Sequence, residues 1–302
     1  MSTDTRSHDA WLMRPGMPDD WGILPLQNVI LNIAKYIDDV CAENDIDYCL
    51  VGGSALGSVR HSGFIPWDDD LDMYMTPDNY DRFRSFFLSH GDSQAFHLQE
   101  FSPTDGMIRF AKLRMNNTDY IEPRLQHLHI HHGVGVDIFI LHNCPPGALR
   151  QRWQYLWAKY ALSSSLAFQR YRPPGRAMQL FMSARRQLPP RLFLGYALRQ
   201  VYRYRNRDTA LLCDYMGRER LHTGRYLRDI MLPTVRAPFE TLSLRVPADT
   251  HAFLSQVFGD YMVPPPPDTV RKSQHAHHWS VDRLGQVGDA SPPDLSEESA
   301  LL

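Results

Sequence analysis

Residues 48–75 read YCLVGGSALGSVRHSGFIPWDDDLDMYM, an apolar run that breaks at two glycines and a second apolar run that opens with four aspartates. Side chains on a strand alternate between its faces, so we expect Asp68, Asp70 and Asp72 to project to one side and Asp69 to the other. Three carboxylates on one face repel each other unless a cation lies among them, and oxygen ligands suit Mg²⁺ or Mn²⁺. The pattern predicts a metal site. A solvated acidic strand end is the alternative, which the interleaved apolar residues disfavour.

The segment Gly52-Gly53-Ser54 stands between the two apolar runs. Paired glycines allow the backbone to approach a ligand closely, and Ser54 adds a hydroxyl beside amides that can hold a phosphate. A phosphate cradle close in sequence to a metal-binding acidic strand indicates phosphoryl transfer.

The whole chain has the composition of a soluble globular protein. It has 302 residues, 43% hydrophobic and 22% charged, with a formal net charge of −2. No global basic field would attract nucleic acid, and no apolar run is long enough to span a membrane. The four cysteines show no zinc-like spacing, so we expect reduced, buried thiols in a cytoplasmic protein.

A second candidate site lies in the predicted strand over 135–140, where Asp137 stands among apolar residues. A buried carboxylate needs a partner, either the metal of the first motif or a nearby arginine. Lys112 and Arg114, two residues apart, face one anionic group together or form a basic edge strand that discourages aggregation. The histidines over 127–132 lack a zinc pattern, so we interpret them as solvated or packing residues.

The spacing of apolar residues predicts both helices and strands, and hence an α+β fold. We assign 1–20 to a flexible lead, 21–145 to the core, and 146–235 to a mainly helical insertion rich in Arg, Tyr and Leu. Residues 236–282 form a C-terminal part that packs on the core, and 283–302 a disordered tail. The insertion is either a helical lid with solvated arginines or a basic amphipathic surface that meets anionic lipid or glycan.

Residues 52–61, running into 63–72, closely resemble the signature of the LicD family, which includes bacterial phosphocholine transferases and fukutin-related proteins. Three further segments resemble the family in order, over 112–118, 135–139 and 258–262. The resemblance spans roughly residues 25–280, and over the insertion it is limited to helical character. One departure is His142, which stands where the family's strand usually ends in an aspartate.

The resemblance implies a nucleotidyltransferase-like fold, in which helices flank a mixed sheet, with a helical insertion. It implies that Gly53 and Ser54 hold a donor's diphosphate. Asp70 and Asp72 would hold Mg²⁺ or Mn²⁺, with Asp68 close by. Asp137 would complete the metal site and take a proton from the attacking hydroxyl, which makes Asp70, Asp72 and Asp137 the candidate catalytic residues. Arg60, Lys112 and Arg114 are the candidate phosphate contacts.

The function implied is transfer of a phospho-alcohol, phosphocholine or a similar group, from a CDP-linked donor. The acceptor would be a hydroxyl of a cell-surface glycan or glycolipid such as lipopolysaccharide or teichoic acid. Two alternatives stay open: nucleotidyl transfer with release of pyrophosphate, and a non-catalytic protein that binds glycan or nucleotide. We expect no nucleic-acid partner and a cytoplasmic location, with peripheral contact at the inner face of the membrane through the insertion as an option.

Overall fold

The computed structural model describes residues 14, 16–172, 175–187, 189, 193–217, 220–265, 275–276 and 278–284. Within them the fold is α+β, as predicted: helices pack on a five-stranded mixed sheet, and three smaller sheets surround it. Most of the predicted flexible lead and of the predicted tail lies outside the described residues. Arg14 and Arg283, which fall inside those two predicted segments, are held by ion pairs to Glu240 and Asp119.

The described residues form eight helices and twelve strands. The helices are α1 (Leu24–Glu43), α2 (Gly52–His61), α3 (Pro77–His90), α4 (Ala148–Phe168), α5 (Arg176–Arg186), α6 (Leu194–Val201), α7 (Arg228–Met231) and α8 (Thr250–Phe258). The strands are β1 (Cys49–Leu50), β2 (Asp72–Met75), β3 (Phe96–Gln99), β4 (Ala111–Met115), β5 (Asp119–Ile121), β6 (Gly135–Ile140), β7 (His142–Cys144), β8 (Leu211–Cys213), β9 (Arg225–Leu227), β10 (Val235–Phe239), β11 (Leu242–Val246) and β12 (His278–Ser280).

The main sheet has the strand order β1-β2-β6-β4-β3. Strand β2 pairs with β6 in parallel, and β4 pairs with the other side of β6 in antiparallel. The predicted acidic strand is shorter than expected, because only Asp72 of the four aspartates lies within β2. The interpretation of Lys112 and Arg114 as an edge strand is wrong, since β4 lies between β6 and β3.

Local sequence signals account for helices α3 and α1. The Thr76 hydroxyl accepts a hydrogen bond from the backbone N–H of Asn79, and Pro77 occupies the first turn of α3. In α1, apolar residues at helical spacing, such as Leu26, Ile30 and Ile33, are buried in the main core, which is the usual reason that an amphipathic helix forms.

The insertion has a small core of its own, built from α4, α6 and β8, with Ala158, Ala197 and Tyr215 at its centre. The C-terminal strands β10 and β11 and helix α8 contribute to the main core through Phe239, Leu244 and Phe253.

A buried histidine at the start of β7 makes the fold sensitive to acid. His142 is buried, and neither ring nitrogen has a hydrogen-bond partner among the described residues. Its ring packs against Tyr202 and Tyr215. Burial lowers the pKa of His142 from its ordinary value to about 3. As the pH falls below about 6.5, His142 therefore binds a proton in the unfolded chain but not in the folded chain. The free energy of unfolding decreases until the pH reaches the pKa of His142 in the folded state.

We expect His142→Phe to retain more of its stability in acid than the wild type. Between neutral pH and about pH 5, one histidine of this kind contributes a loss of about 2 kcal/mol, which phenylalanine would abolish while keeping the ring contacts. Urea unfolding at the two pH values measures the difference, and His222→Phe, at an exposed position, is the control. Equal acid losses in the wild type and His142→Phe would refute this role.

Candidate active site

A cavity of about 340 Å³ opens where the N-terminus of α2 meets the face of strands β2, β6 and β4. Helix α2 begins where the sequence predicted a turn, and its first residues, Gly52 and Gly53, line this cavity. Amides in the first turn of a helix lack intrahelical acceptors, so such a terminus can receive an anion. The predicted site residues that line the cavity are Gly53, Asp68, Asp70, Asp72, Lys112, Arg114 and Asp137.

Strand register aligns three charged residues across the sheet. Asp72 of β2 lies opposite Asp137 of β6, and Asp137 lies opposite Lys112 of β4. The Lys112 ammonium is 2.9 Å from Asp137 Oδ1 and 2.8 Å from Glu122 Oε1. Asp137 therefore has an ion-pair partner within the chain, which is a lysine rather than the arginine that the sequence suggested as an alternative.

The carboxylates of the cavity are costly to ionise. Burial, together with repulsion from the neighbouring aspartates, raises the pKa of Asp68 and of Asp72 well above the ordinary value. Burial raises the pKa of Asp70 to about 6, and it also raises the pKa of Asp137, although Lys112 opposes that shift. Asp72 Oδ1 is buried and has no hydrogen-bond partner among the described residues. A divalent cation would satisfy that oxygen and relieve the repulsion. Among the described residues, however, the ligand atoms that converge within 4.8 Å are those of Asp69, Asp70 and His275, so the oxygens of Asp72 and Asp137 would have to move closer to share a cation with Asp70.

The glycines are needed because the carboxylates approach the backbone of α2. A Cβ at position 53 would lie 2.8 Å from Asp68 Oδ2, and Gly52 has a φ of +53° that favours glycine. Ser54 is buried, and its hydroxyl oxygen accepts a hydrogen bond from the backbone N–H of Asp72 at 2.9 Å. Ser54 thus ties the start of α2 to β2, and it does not line the cavity.

Lys112 and Arg114 do face one anionic group, and that group belongs to the chain itself. Glu122 Oε1 lies 2.8 Å from Lys112 Nζ and 3.8 Å from an Arg114 terminal nitrogen. The Arg114 guanidinium also donates to Gln99 Oε1 and to the backbone carbonyl of Gly133. Burial lowers the pKa of Arg114, whereas these two cations hold the pKa of Glu122 down at about 2 despite its burial.

Asp69 does not line the cavity, in agreement with the strand alternation that separated it from Asp68, Asp70 and Asp72, but its carboxylate lies close to that of Asp70. It is buried and accepts hydrogen bonds from the backbone N–H groups of His275 and Ala276, at 2.8 and 3.1 Å. His275 Nδ1 lies 3.1 Å from Asp69 Oδ1 and 3.2 Å from Asp70 Oδ2, and the hydrogen bond to Asp69 raises the pKa of His275 to about 9. These three residues are close enough to bind a metal together, but a protonated imidazole cannot coordinate one and acts here as a counter-charge.

Arg60 is not brought to this site. It lies in the last turn of α2, where its guanidinium donates to the backbone carbonyl of Tyr261 at 3.2 Å, and it does not line the cavity. Of the histidines over 127–132, His131 stacks on His97 and hydrogen-bonds Asn116, which is the packing role expected.

Next to the charged residues, the same sheet face carries aromatic rings. Tyr74 and Phe139 lie two positions after Asp72 and Asp137 in β2 and β6, and register places them opposite each other. Phe110 lies two positions before Lys112, directly before the start of β4. The ring centroids of Tyr74 and Phe139 are 6.1 Å apart, and those of Phe110 and Phe139 are 4.3 Å apart. We call Tyr74, Phe139 and Phe110 the aromatic row. All three line the cavity.

Sequence reasoning missed Glu122, Asp214 and His275. Asp214 lies within the insertion, directly after β8, and its Oδ2 accepts a hydrogen bond from the Tyr74 hydroxyl at 3.2 Å. Burial raises the pKa of Asp214. No local motif marks these three residues, because each reaches the cavity through tertiary packing. The aromatic row did leave a signal, an aromatic residue two positions from a charged one in β2, in β6 and at the start of β4.

A mixed sheet that presents clustered carboxylates beside a glycine-containing helix start defines a nucleotidyltransferase-like domain. Residues 45–143 match the model of the LicD/FKTN/FKRP nucleotidyltransferase domain. The matched residues make up about a third of the chain, so the similarity to the LicD family is shown for this part of it. No helix among the described residues is long and apolar enough to cross a membrane.

Among curated proteins, the lipopolysaccharide cholinephosphotransferase LicD of Haemophilus influenzae is 53% identical over 57 residues, which are 19% of this chain and 22% of that protein. Uncharacterized proteins of Rickettsia prowazekii and Rickettsia typhi are each 41% identical over 44 residues, 15% of this chain and 16% and 14% of those proteins. The matched segments thus span about a fifth or less of the relatives' lengths.

Proposed function

We propose that the protein transfers phosphocholine from a CDP-linked donor to a hydroxyl of a cell-surface glycan, with Mg²⁺ or Mn²⁺ as cofactor. The observation that carries the proposal is the pairing of the charged residues with the aromatic row on one sheet face. The Haemophilus relative is named as a lipopolysaccharide cholinephosphotransferase, which supports the same chemistry and suggests lipopolysaccharide as the class of acceptor.

Asp70, Asp72 and Asp137 would hold the metal, with Asp68 beside them. When bound, the metal would neutralise phosphate oxygens and the developing charge on the leaving group. The first amides of α2 at Gly52 and Gly53 would receive a phosphate oxygen of the donor. Lys112 orients Asp137 by its contact with Oδ1.

In the transfer itself, the acceptor hydroxyl gives its proton to Asp137 Oδ2 as its oxygen bonds to the phosphorus that carries choline. The bond from that phosphorus to the bridging oxygen breaks, and cytidine monophosphate leaves with the electron pair. Positioning by the charged residues and charge stabilisation supply most of the rate enhancement.

The aromatic row favours a quaternary ammonium over a polyol as the transferred alcohol. Two residues along a strand advance about 6.6 Å, which is the reach of a short alcohol attached to a phosphate at the charged residues. Aromatic faces attract cations. Lys112 Nζ and Arg109 Cζ already lie 5.3 and 5.5 Å from the Phe110 centroid. A polyol would require several hydrogen-bonding side chains in place of these rings.

Calorimetric titration of CDP-choline, CDP-ribitol and CTP, with and without Mg²⁺ or Mn²⁺, tests the proposal. We expect metal-dependent binding of CDP-choline that Asp72→Asn abolishes. If CTP binds and neither CDP-alcohol does, nucleotidyl transfer replaces the proposal, and if none of the three binds, a catalytic role with a CDP-linked donor is refuted.

Phe139→Leu should weaken CDP-choline binding about 2- to 30-fold and leave CDP-ribitol binding unchanged, because one cation–π contact contributes about 0.5–2 kcal/mol. Phe139 is half-buried, so the truncated side chain can be accommodated. Phe86→Leu is the matched control. Phe86 is also half-buried, but it lies on α3 and its ring stacks on that of His90. If Phe139→Leu weakened the binding of CDP-choline and of CDP-ribitol equally, Phe139 would shape the cavity without recognising the transferred alcohol.

A further inference from the structure

The helical part of the insertion, together with the residues directly before it, carries positive charge and no negative charge. Residues 138–207 contain no Asp or Glu and carry 13 Lys and Arg residues, so that with a chain total of −2 the remaining residues carry a net −15. Of these cations, ten are exposed in the structure: Arg150, Arg152, Arg170, Arg172, Arg176, Arg186, Arg199, Arg203, Arg205 and Arg207. A segment of this kind attracts an anionic partner.

The same insertion exposes large apolar side chains in a row along α4. Leu149, Trp153 and Leu156 follow at spacings of four and three residues, so they lie on one face, and they are 82%, 45% and 62% exposed. Arg152 lies on that face between them. Isolated exposed apolar residues are normal, but a row of three on one helix face needs an explanation.

Helix α6 continues the row. Phe193 and Tyr196 are 62% and 44% exposed and lie three residues apart. Two contacts join the helices side by side: Trp153 Nε1 donates to Gln200 Oε1 at 3.2 Å, and the rings of Trp157 and Tyr196 meet edge to face at 4.7 Å. We call Leu149, Trp153, Leu156, Phe193 and Tyr196, with Arg152, Arg199 and Arg203, the cationic–apolar patch.

We propose that the cationic–apolar patch docks the protein on the surface of an anionic lipid bilayer. Leucine and phenylalanine side chains would enter the boundary between headgroups and acyl chains. Tryptophan and tyrosine are suited to the headgroup level, and arginines extend their guanidinium groups toward lipid phosphates. Each cation near an anionic membrane adds to the electrostatic attraction.

The positive charge and the exposed apolar side chains together favour a lipid bilayer over other binding partners. A second copy of the chain would bring two strongly cationic faces together, which repel. A soluble anionic glycan would be bound through the arginines but would leave the leucines and Phe193 in water. A bilayer satisfies both features. Docking would place the protein beside glycolipids, which are candidate acceptors under the proposed function, but the surface is inferred independently of any activity.

Flotation of the full chain with vesicles tests the docking. We expect binding to vesicles of phosphatidylcholine mixed with phosphatidylglycerol, weak binding to phosphatidylcholine alone, and a loss of binding at high salt. Leu149→Ser with Leu156→Ser should reduce partitioning at least about 10-fold, because both side chains would leave the bilayer. Leu88→Ser removes a leucine that is 60% exposed on α3, outside the patch, and is the matched control.

Two outcomes would overturn the inference: no binding to the anionic vesicles, or equal binding by the double variant and Leu88→Ser. Binding to dextran sulfate without binding to vesicles would replace the membrane by an anionic glycan. An unchanged thermal unfolding transition of the double variant shows that it folds. CDP-choline titration of the same variant separates failure of docking from failure of the proposed donor site.

Discussion

Asp72→Asn and Asp137→Asn should each lower phosphocholine transfer by roughly 10³-fold, the scale of losing a main electrostatic contribution to the transition state. Asp72 would lose one of its two metal-binding oxygens. Asp137→Asn would also remove the base that takes the proton from the acceptor. Radiolabelled choline transfer from CDP-choline to lipopolysaccharide measures the rate.

The unfolding stability of Asp72→Asn distinguishes loss of the metal site from loss of the fold. Asp72 has a raised pKa because of burial and repulsion from Asp70, Asp137 and Asp68. An uncharged amide removes that repulsion, so without metal we expect Asp72→Asn to be at least as stable as the wild type. Mg²⁺ should raise the melting temperature of the wild type, since a ligand that binds only the folded state stabilises it, and should leave Asp72→Asn unchanged.

Asp39→Asn is the matched control, because Asp39 is 39% exposed in a surface pair with Lys35. It should transfer choline at the wild-type rate and keep the response to Mg²⁺. Transfer at the wild-type rate by both cavity variants would remove the metal-site assignment. A wild-type melting temperature that Mg²⁺ and Mn²⁺ leave unchanged would do the same.

Strand alternation predicted how the aspartates divide between two environments. Asp68, Asp70 and Asp72 line the cavity while Asp69 binds the segment at His275, although only Asp72 lies within a regular strand. The division is incomplete, because Asp69 and Asp70 both lie within 3.2 Å of His275 Nδ1 and His275 lines the cavity. The local pattern was therefore sufficient to select the aspartates that line the cavity, and no more.

Helix α2 was missed because glycine is a poor helix former, and the Gly52-Gly53 pair indicates a turn when taken alone. Tertiary contacts reverse that preference. The carboxylate of Asp68 approaches position 53 so closely that a side chain there would clash, and the Ser54 hydroxyl oxygen accepts the N–H of Asp72. The energetic reason for the helix therefore lies 15 to 18 residues away in the chain.

The partner of Asp137 could not be predicted because it depends on strand order. From sequence, a metal was the favoured explanation for this buried carboxylate and an arginine was the alternative. The antiparallel pairing of β4 with β6 places Lys112 opposite Asp137, and Glu122 completes the cluster from the loop after β5. Register across three strands is a tertiary property, and no single segment encodes it.

The same cluster leads to a large expected effect on stability. Lys112 is buried between Asp137 and Glu122, and its replacement by methionine would leave Asp137 without its ion-pair partner and Glu122 with Arg114 alone. Breaking a buried ion pair by removing one partner typically costs 3–5 kcal/mol, and we expect Lys112→Met to lower the free energy of unfolding by about that amount. Urea unfolding at neutral pH measures the loss.

Lys35→Met is the matched control, because Lys35 pairs with Asp39 at the surface and such pairs contribute about 0–1 kcal/mol. A double variant, Lys112→Met with Asp137→Asn, should recover part of the loss, since the amide is neutral and no longer needs a cation. The loss should also shrink as the pH falls, because Asp137 then takes a proton in the folded state. Should Lys112→Met be no less stable than Lys35→Met, or should the double variant recover nothing, the lysine would not be balancing these carboxylates, and its place opposite Asp137 would have to be explained by substrate binding alone.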